Sequence, residues 1–73
     1  MTTIKQKKQG NYYTELRAVA RYGFGYYEVI LYWYGIPINQ NVYRIEEIDK
    51  ARKCFYRYNA KAKARNQAER GKQ

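Results

Sequence analysis

The chain has 73 residues, with 15 lysines and arginines against 6 aspartates and glutamates, which gives a formal net charge of +9. This length allows one domain, and a domain so small buries only about 60% of the surface that its unfolded chain exposes. Serine and histidine are absent and cysteine occurs once, which excludes Ser–His and Cys–His nucleophile pairs and a zinc site built from cysteine and histidine. The composition therefore predicts a protein that is not an enzyme and holds no cofactor or metal.

The positive charge is concentrated at the two ends of the chain. Residues 1–10 carry three lysines and no acid, residues 11–43 sum to zero, and residues 44–73 carry ten basic and four acidic residues. Basic ends of this kind are expected to face phosphate groups, although solvated tails are the alternative. The candidate nucleic-acid-facing residues are Lys5, Lys7, Lys8, Arg57, Lys61, Lys63 and Arg65.

Signals for membrane insertion are weak in this sequence. The longest apolar stretch, 29–34, is far shorter than the roughly 20 residues that span a bilayer. The first residues lack the apolar run of a signal peptide, and a single cysteine suits a reducing compartment. We therefore expect a cytoplasmic protein, inside a host cell, that binds neither a membrane nor a small-molecule ligand.

Two long strands are predicted at 12–22 and 26–34, from alternating polarity and from aromatic and β-branched residues. The glycines at 23 and 25 predict a tight reversal between them. A three-residue loop would place Glu28 opposite Ala20, whereas a four-residue loop pairs Tyr22 with Tyr27 and Ala20 with Val29. The second register gives a uniform apolar face and is the one predicted.

The other face of this hairpin combines tyrosine, arginine and aliphatic side chains, which are typical of protein interfaces. A base-stacking platform and an ordinary half-exposed sheet are the alternatives. The candidate protein-interface residues are Arg17, Val19, Arg21, Ile30, Tyr32 and Tyr34.

The period changes to that of a helix after residue 44. Apolar residues recur at spacings of three and four from Ile45 to Ala62, and acids lie in the first turns, where they suit the helix dipole. The helix is expected to cover the apolar face of the hairpin, with Phe55 near Trp33 and Cys54 buried. Between strand and helix, Pro37 is expected to end or bend the second strand, and 42–43 could form a short third strand.

The predicted fold is a small α+β domain. It has an antiparallel sheet of two long strands plus a short edge strand, packed on one C-terminal amphipathic helix. A basic flexible N-terminal tail is expected at 1–11, the hairpin and helix domain at 12–60, and a basic C-terminal extension at 61–73, where the apolar face of the helix disappears.

This layout, with a helix that opens Arg-Ile-Glu-Glu-Ile-Asp-Lys-Ala, resembles the arm-type DNA-binding domain of tyrosine recombinases. That resemblance implies a sheet that enters the major groove and a helix packed behind it. In total length, layout and basic ends around a neutral centre, the chain also resembles the small phage-encoded regulators of host RNA polymerase, the transcription inhibitors and antiterminators of Xanthomonas phage among them. This second resemblance implies a surface docked on polymerase and basic tails near nucleic acid.

The predicted function is non-enzymatic regulation of transcription. The chain would bind host RNA polymerase, inhibit initiation or act as an antiterminator, and contact DNA or RNA through its basic ends. A stand-alone DNA-binding protein and an inhibitor of a host defence nuclease are the alternatives. The sequence leaves open the sign of regulation, the choice between DNA and RNA, and the oligomeric state.

Overall fold

A computed structural model describes residues 1–71 of the chain. The sheet strands are β1 (Thr2–Gln9), β2 (Tyr12–Arg21), β3 (Phe24–Trp33) and β4 (Ile36–Arg44). A 3-10 turn at Ile45–Glu47 leads into the single helix, α1 (Ile48–Arg70). The four strands lie side by side in chain order, and each is antiparallel to its neighbours.

The α+β architecture, an antiparallel sheet packed on one C-terminal helix, is confirmed, but the sheet has four strands rather than two long ones and a short edge. The additional strand, β1, lies within the segment 1–11 that we expected to be a flexible tail. It pairs with β2 along its length, from Thr2 opposite Ala18 to Gln9 opposite Tyr12, with a bulge near Ile4. An edge strand that is polar on both faces gives no hydrophobic pattern to detect.

The fourth strand is also longer than predicted, because Pro37 lies inside it and does not end it. β4 is the outermost strand of the sheet, and a proline is tolerated at an edge, where its missing N–H removes no bond to a further strand. The pairing of β3 with β4 shifts by one residue beside this proline.

Each pair of neighbouring strands is joined by a two-residue turn. Tyr22 and Gly23 have φ of 51° and 80°, and Tyr34 and Gly35 have φ of 50° and 78°. Two central residues with positive φ are typical of the type I′ turn, whose twist matches that of the flanking strands. The predicted four-residue loop is therefore wrong. Ala20 pairs with Gly25, and the whole register is displaced by four residues.

The displacement is an even number of residues, so every side chain of β2 and β3 still points to the predicted face. The core lies between that face and α1. Its main cluster is formed by Leu16, Val29, Ala51, Cys54 and Phe55, all at most 4% exposed. Phe55 therefore packs against the middle of the sheet rather than near Trp33. The buried position of Cys54 is confirmed.

The second half of α1 packs on the start of β2. Ala62 is fully buried against Tyr12 and Leu31, and the Tyr12 hydroxyl donates a hydrogen bond of 2.7 Å to Glu69 Oε1. The predicted basic extension 61–73 is thus a continuation of the helix as far as residue 70, and its last two residues lie outside the described part. Small alanines let the helix approach the sheet closely, although they present no large apolar face. Tyr22, predicted to be in the core, is 97% exposed at a turn.

Candidate protein and nucleic-acid interfaces

The face of the sheet that α1 leaves uncovered, here called the outer sheet face, is centred on an ion pair. Arg17 Nε donates to Glu28 Oε1 at 3.0 Å, and Gln40 Nε2 donates to Glu28 Oε2 at 2.5 Å. Arg17 Nη1 also lies 3.9 Å from Glu15 Oε1, and Thr3 Oγ1 donates to Glu15 Oε2 at 2.5 Å. Burial lowers the pKa of Arg17, but its hydrogen bond and charge interaction with Glu28 outweigh this and raise the pKa above its ordinary value. The centre of this face therefore holds one guanidinium group paired with two carboxylate groups, a net charge of −1.

Two of the predicted interface residues are buried. Val19 is 5% exposed and Ile30 is 3% exposed. Tyr13 and Tyr32 flank this centre, with ring centroids 5.7 Å apart. Burial raises the pKa of Tyr13, with smaller contributions from Glu15 and Tyr32. A partner on this face would meet the edges of tyrosine rings more than aliphatic side chains.

The six predicted interface residues do not form one surface. Arg17, Val19, Ile30 and Tyr32 lie together, while Arg21 is exposed at the end of β2. Tyr34 lies in the β3–β4 turn, where its hydroxyl accepts a hydrogen bond of 2.8 Å from Asn11 Nδ2.

The outer sheet face also holds two exposed apolar residues that the sequence analysis missed, Phe24 and Val42. Phe24 was missed because it was assigned to the turn. Val42 was missed because β4 was predicted to be too short to have a face.

The three predicted lysines of the N-terminal segment are divided between the two faces of the sheet. Lys8 lies opposite Tyr13 on the outer sheet face, whereas Lys5 and Lys7 lie on the side of α1. Lys5 Nζ donates to the Tyr56 hydroxyl at 2.5 Å and lies 4.8 Å from the centre of that ring. This hydrogen bond, together with the positive charge of Lys5, lowers the pKa of Tyr56.

The helix carries a row of cations that winds gradually along the side that faces β4. We call it the basic row, and it consists of Lys53, Arg57, Lys61 and Arg65, each four residues after the last. Residues four apart lie above one another on a helix. Lys53 was not predicted as a site residue, although the spacing of four was visible in the sequence. Lys63, which was predicted, lies on another side of α1.

No carboxylate group within residues 1–71 lies within 4.0 Å of a cationic nitrogen of the basic row. The acids near the helix start are held by other groups. Glu47 accepts a hydrogen bond of 3.0 Å from the Arg44 backbone N–H and one of 3.1 Å from Lys50 Nζ, and these bonds lower its pKa. Asp49 Oδ1 lies 3.9 Å from Arg52 Nη1.

Two open clefts lie along the line between the basic row and β4. The larger has a volume of about 480 Å³ and the smaller one of about 240 Å³. The larger is lined by Tyr12, Trp33, Ile38, Asn39, Lys61 and Arg65. The smaller is lined by Tyr43, Lys50, Lys53 and Arg57.

A polar network lies between the two clefts. Asn41 Nδ2 donates to the Tyr58 hydroxyl at 2.9 Å and contacts Cys54 Sγ at 3.6 Å. Burial raises the pKa of Tyr58 to about 12, with a further contribution from Cys54. Further along, Lys61 Nζ lies 3.5 Å from Asn39 Oδ1. We call the surface formed by the basic row, these two asparagines, Tyr43 and Trp33 the α1–β4 groove.

Comparisons with protein-family models, curated protein sequences and solved structures find no match for this chain. Among residues 1–71, no helix has both the length and the apolar character required to cross a membrane. Within the same residues, no three Cys, Asp or Glu side chains are placed together as metal ligands.

Proposed function

We propose that this chain is a non-enzymatic regulator of transcription that binds host RNA polymerase, inhibiting initiation or acting as an antiterminator. The observation that carries the proposal is the contrast between its two faces. The side of α1 holds the basic row, which pairs with no carboxylate group among residues 1–71, while the outer sheet face has paired charges at its centre and is rich in tyrosine. A chain that binds a protein with one face and phosphate groups with the other is suited to a site where polymerase contacts nucleic acid.

The outer sheet face supports the part of the proposal that concerns protein docking. Its central charges already satisfy one another, so a partner could cover them without leaving an isolated buried charge. Phe24 and Val42 supply exposed apolar area at its margins, and aromatic residues and arginine are enriched in protein interfaces. DNA would find few phosphate contacts at the centre of this face, because Glu15 and Glu28 outnumber Arg17 there.

The test is retention of purified bacterial RNA polymerase on the immobilised protein after nuclease treatment. Retention is expected to fail when Phe24→Glu and Val42→Glu are combined, because both add negative charge to the apolar margin. Ala60→Glu combined with Ala68→Glu is the matched control, because it adds the same two charges at exposed positions of the helix. Failure of the unaltered chain to retain polymerase would contradict the proposal.

A stand-alone DNA-binding protein is the second candidate, favoured by the order β2, β3, β4, α1, which is the layout of the arm-type domain that the sequence resembles. In this case the outer sheet face would lie in the major groove and select among duplex sequences. Selection of a preferred sequence from a random duplex pool, lost in Arg21→Gln but not in Lys63→Gln, would support this candidate. Recovery of no preferred sequence would exclude it.

A further inference from the structure

We propose that the α1–β4 groove binds single-stranded nucleic acid, with phosphates on the basic row and a base against Trp33. This inference rests on the proposed function, since it assigns a ligand to the face that we propose lies near nucleic acid. It adds the strandedness of that ligand and the residues that hold it.

The basic row destabilises the free protein through charge repulsion. Like charges four residues apart on a helix repel one another, and the basic row contains three such pairs in succession. Asp49 and Glu69 lie four residues beyond the two ends of the row, but no carboxylate group among residues 1–71 lies within 4.0 Å of its cationic nitrogens. Arg57 and Lys61, in the middle of the row, have no acid three or four residues away, so a polyanion is the ligand that would neutralise them.

The basic row is long and turns gradually around α1. It extends over twelve residues, about 18 Å along the axis at 1.5 Å per residue, and each step of four residues adds about 40° around the axis. A flexible single strand can follow such a row, because its backbone is not held to the fixed geometry of a duplex.

The side chains beside the basic row can bind bases as well as phosphates. Asn39 and Asn41 offer amide groups that can bond to the exposed edges of unpaired bases. Trp33 is 39% exposed and lines the larger cleft together with Lys61 and Arg65. An aromatic ring beside two cations is the combination that single-strand binders use for a base and its phosphates. A peptide of aspartate and glutamate alone would use the cations but would have no aromatic group to stack on Trp33.

The test measures binding of a fluorescein-labelled oligo(dT) or oligo(rU) of twelve nucleotides, by fluorescence anisotropy over a range of salt concentrations. Four phosphate contacts on a single strand predict a slope of log K against log salt of about −2.8, at about −0.7 per contact. Trp33 is the only tryptophan of the chain, so its fluorescence reports directly on the groove. Quenching of that fluorescence by the unlabelled oligonucleotide is expected.

Matched double variants separate the groove from the net charge. Lys61→Gln with Arg65→Gln should weaken binding at least tenfold and reduce the slope to about −1.4, since two of four contacts are lost. Lys63→Gln with Arg70→Gln removes the same charge from other parts of α1 and should change affinity less than threefold. Equal losses in the two double variants would show that only net charge matters and would overturn the inference.

Two further ligands distinguish the occupants. A twelve-base-pair duplex that binds as tightly as the oligonucleotide would overturn the assignment to single strands. Poly-glutamate of equal charge that competes equally would overturn the assignment to nucleic acid and indicate an acidic peptide. Neither result depends on polymerase, and retention of polymerase is measured after nuclease treatment. The inference and the proposed function can therefore fail separately.

Discussion

Replacing Lys61 with glutamate should stabilise the fold while it abolishes binding of single strands. Lys61 has Arg57 four residues before it and Arg65 four residues after it, and its side chain is exposed. The change converts two repulsive pairs into two attractive ones, and the second is in the favoured order of acid before base. A stabilising change that destroys binding is the outcome expected of a residue kept for its ligand.

The magnitude follows from the pairs involved. A like-charge pair costs about 0.2–0.5 kcal/mol and an opposite pair gains about as much, so two converted pairs change the unfolding free energy by about 1–2 kcal/mol at low salt. For a domain of this size each kcal/mol raises the Tm by about 4–8 °C. Among residues 1–71, the hydrogen bond that is lost is the 3.5 Å approach of Lys61 Nζ to Asn39 Oδ1, which is too long to contribute much.

The assay is thermal unfolding by circular dichroism, at low salt and in 1 M NaCl. Lys63→Glu is the control, because its neighbours four residues away, Asn59 and Gln67, are uncharged. The Tm of Lys61→Glu should exceed that of Lys63→Glu at low salt, and the excess should shrink in 1 M NaCl, where charges are screened beyond about 3 Å. Equal Tm values at low salt would refute the claim that the basic row repels itself.

Three further predictions test how α1 packs on the sheet. Gly10→Ala and Gly35→Ala both place a side chain at positive φ, at about 1–2 kcal/mol each, but only at Gly10 would the new Cβ lie 2.0 Å from Asn66 Oδ1. Urea unfolding should therefore show a larger loss of unfolding free energy for Gly10→Ala than for Gly35→Ala, and adding Asn66→Ala to Gly10→Ala should reduce that loss. Equal losses for the two glycine variants would mean that the end of α1 does not pack on the turn at Gly10. Phe55→Ala should lower the unfolding free energy by about 3–5 kcal/mol, and a urea midpoint close to that of the unaltered chain would place Phe55 outside the core. Burial raises the pKa of Tyr58 to about 12, so the contribution of this hydroxyl to stability is complete below about pH 10 and is lost as the pH rises to 12. Between pH 10 and 12, Tyr58→Phe should therefore lose less stability than the unaltered chain. An identical loss in the two proteins would count against a buried Tyr58 hydroxyl.

The faces of the sheet could be predicted from the sequence, but the register could not. Alternation fixes which side chains share a face, and it assigned Leu16 and Val29 to the core face and Arg17 to the other. Register depends on the turn, and the turn here uses Tyr22 at a φ of 51°, a conformation that favours asparagine and glycine. The four-residue loop was predicted because it gives a uniform apolar face, and the two-residue turn that forms gives the same face, so the face pattern does not distinguish the two loops.

The strand β1 and the α1–β4 groove were missed for different physical reasons. β1 is held by main-chain pairing with β2, and its sequence of threonine, lysine and glutamine has no apolar period. The spacing of the basic row could be seen in the sequence. That the basic row borders a groove could not be seen, because this depends on which side of α1 faces β4. The position of β4 is known only when the sheet is built from four strands and not from two.

The side-by-side order of the strands has a consequence for how the chain folds. Each strand pairs only with its sequence neighbours through two-residue turns, so the sheet needs no long loop to close, and the relative contact order of its strand pairs is low for a β-rich protein. Pairing can therefore extend outward from the Tyr22–Gly23 hairpin one strand at a time, and α1 needs to dock only at the end. The strands can therefore pair without waiting for a distant segment, and the core closes when α1, the last element of the chain, docks on the sheet.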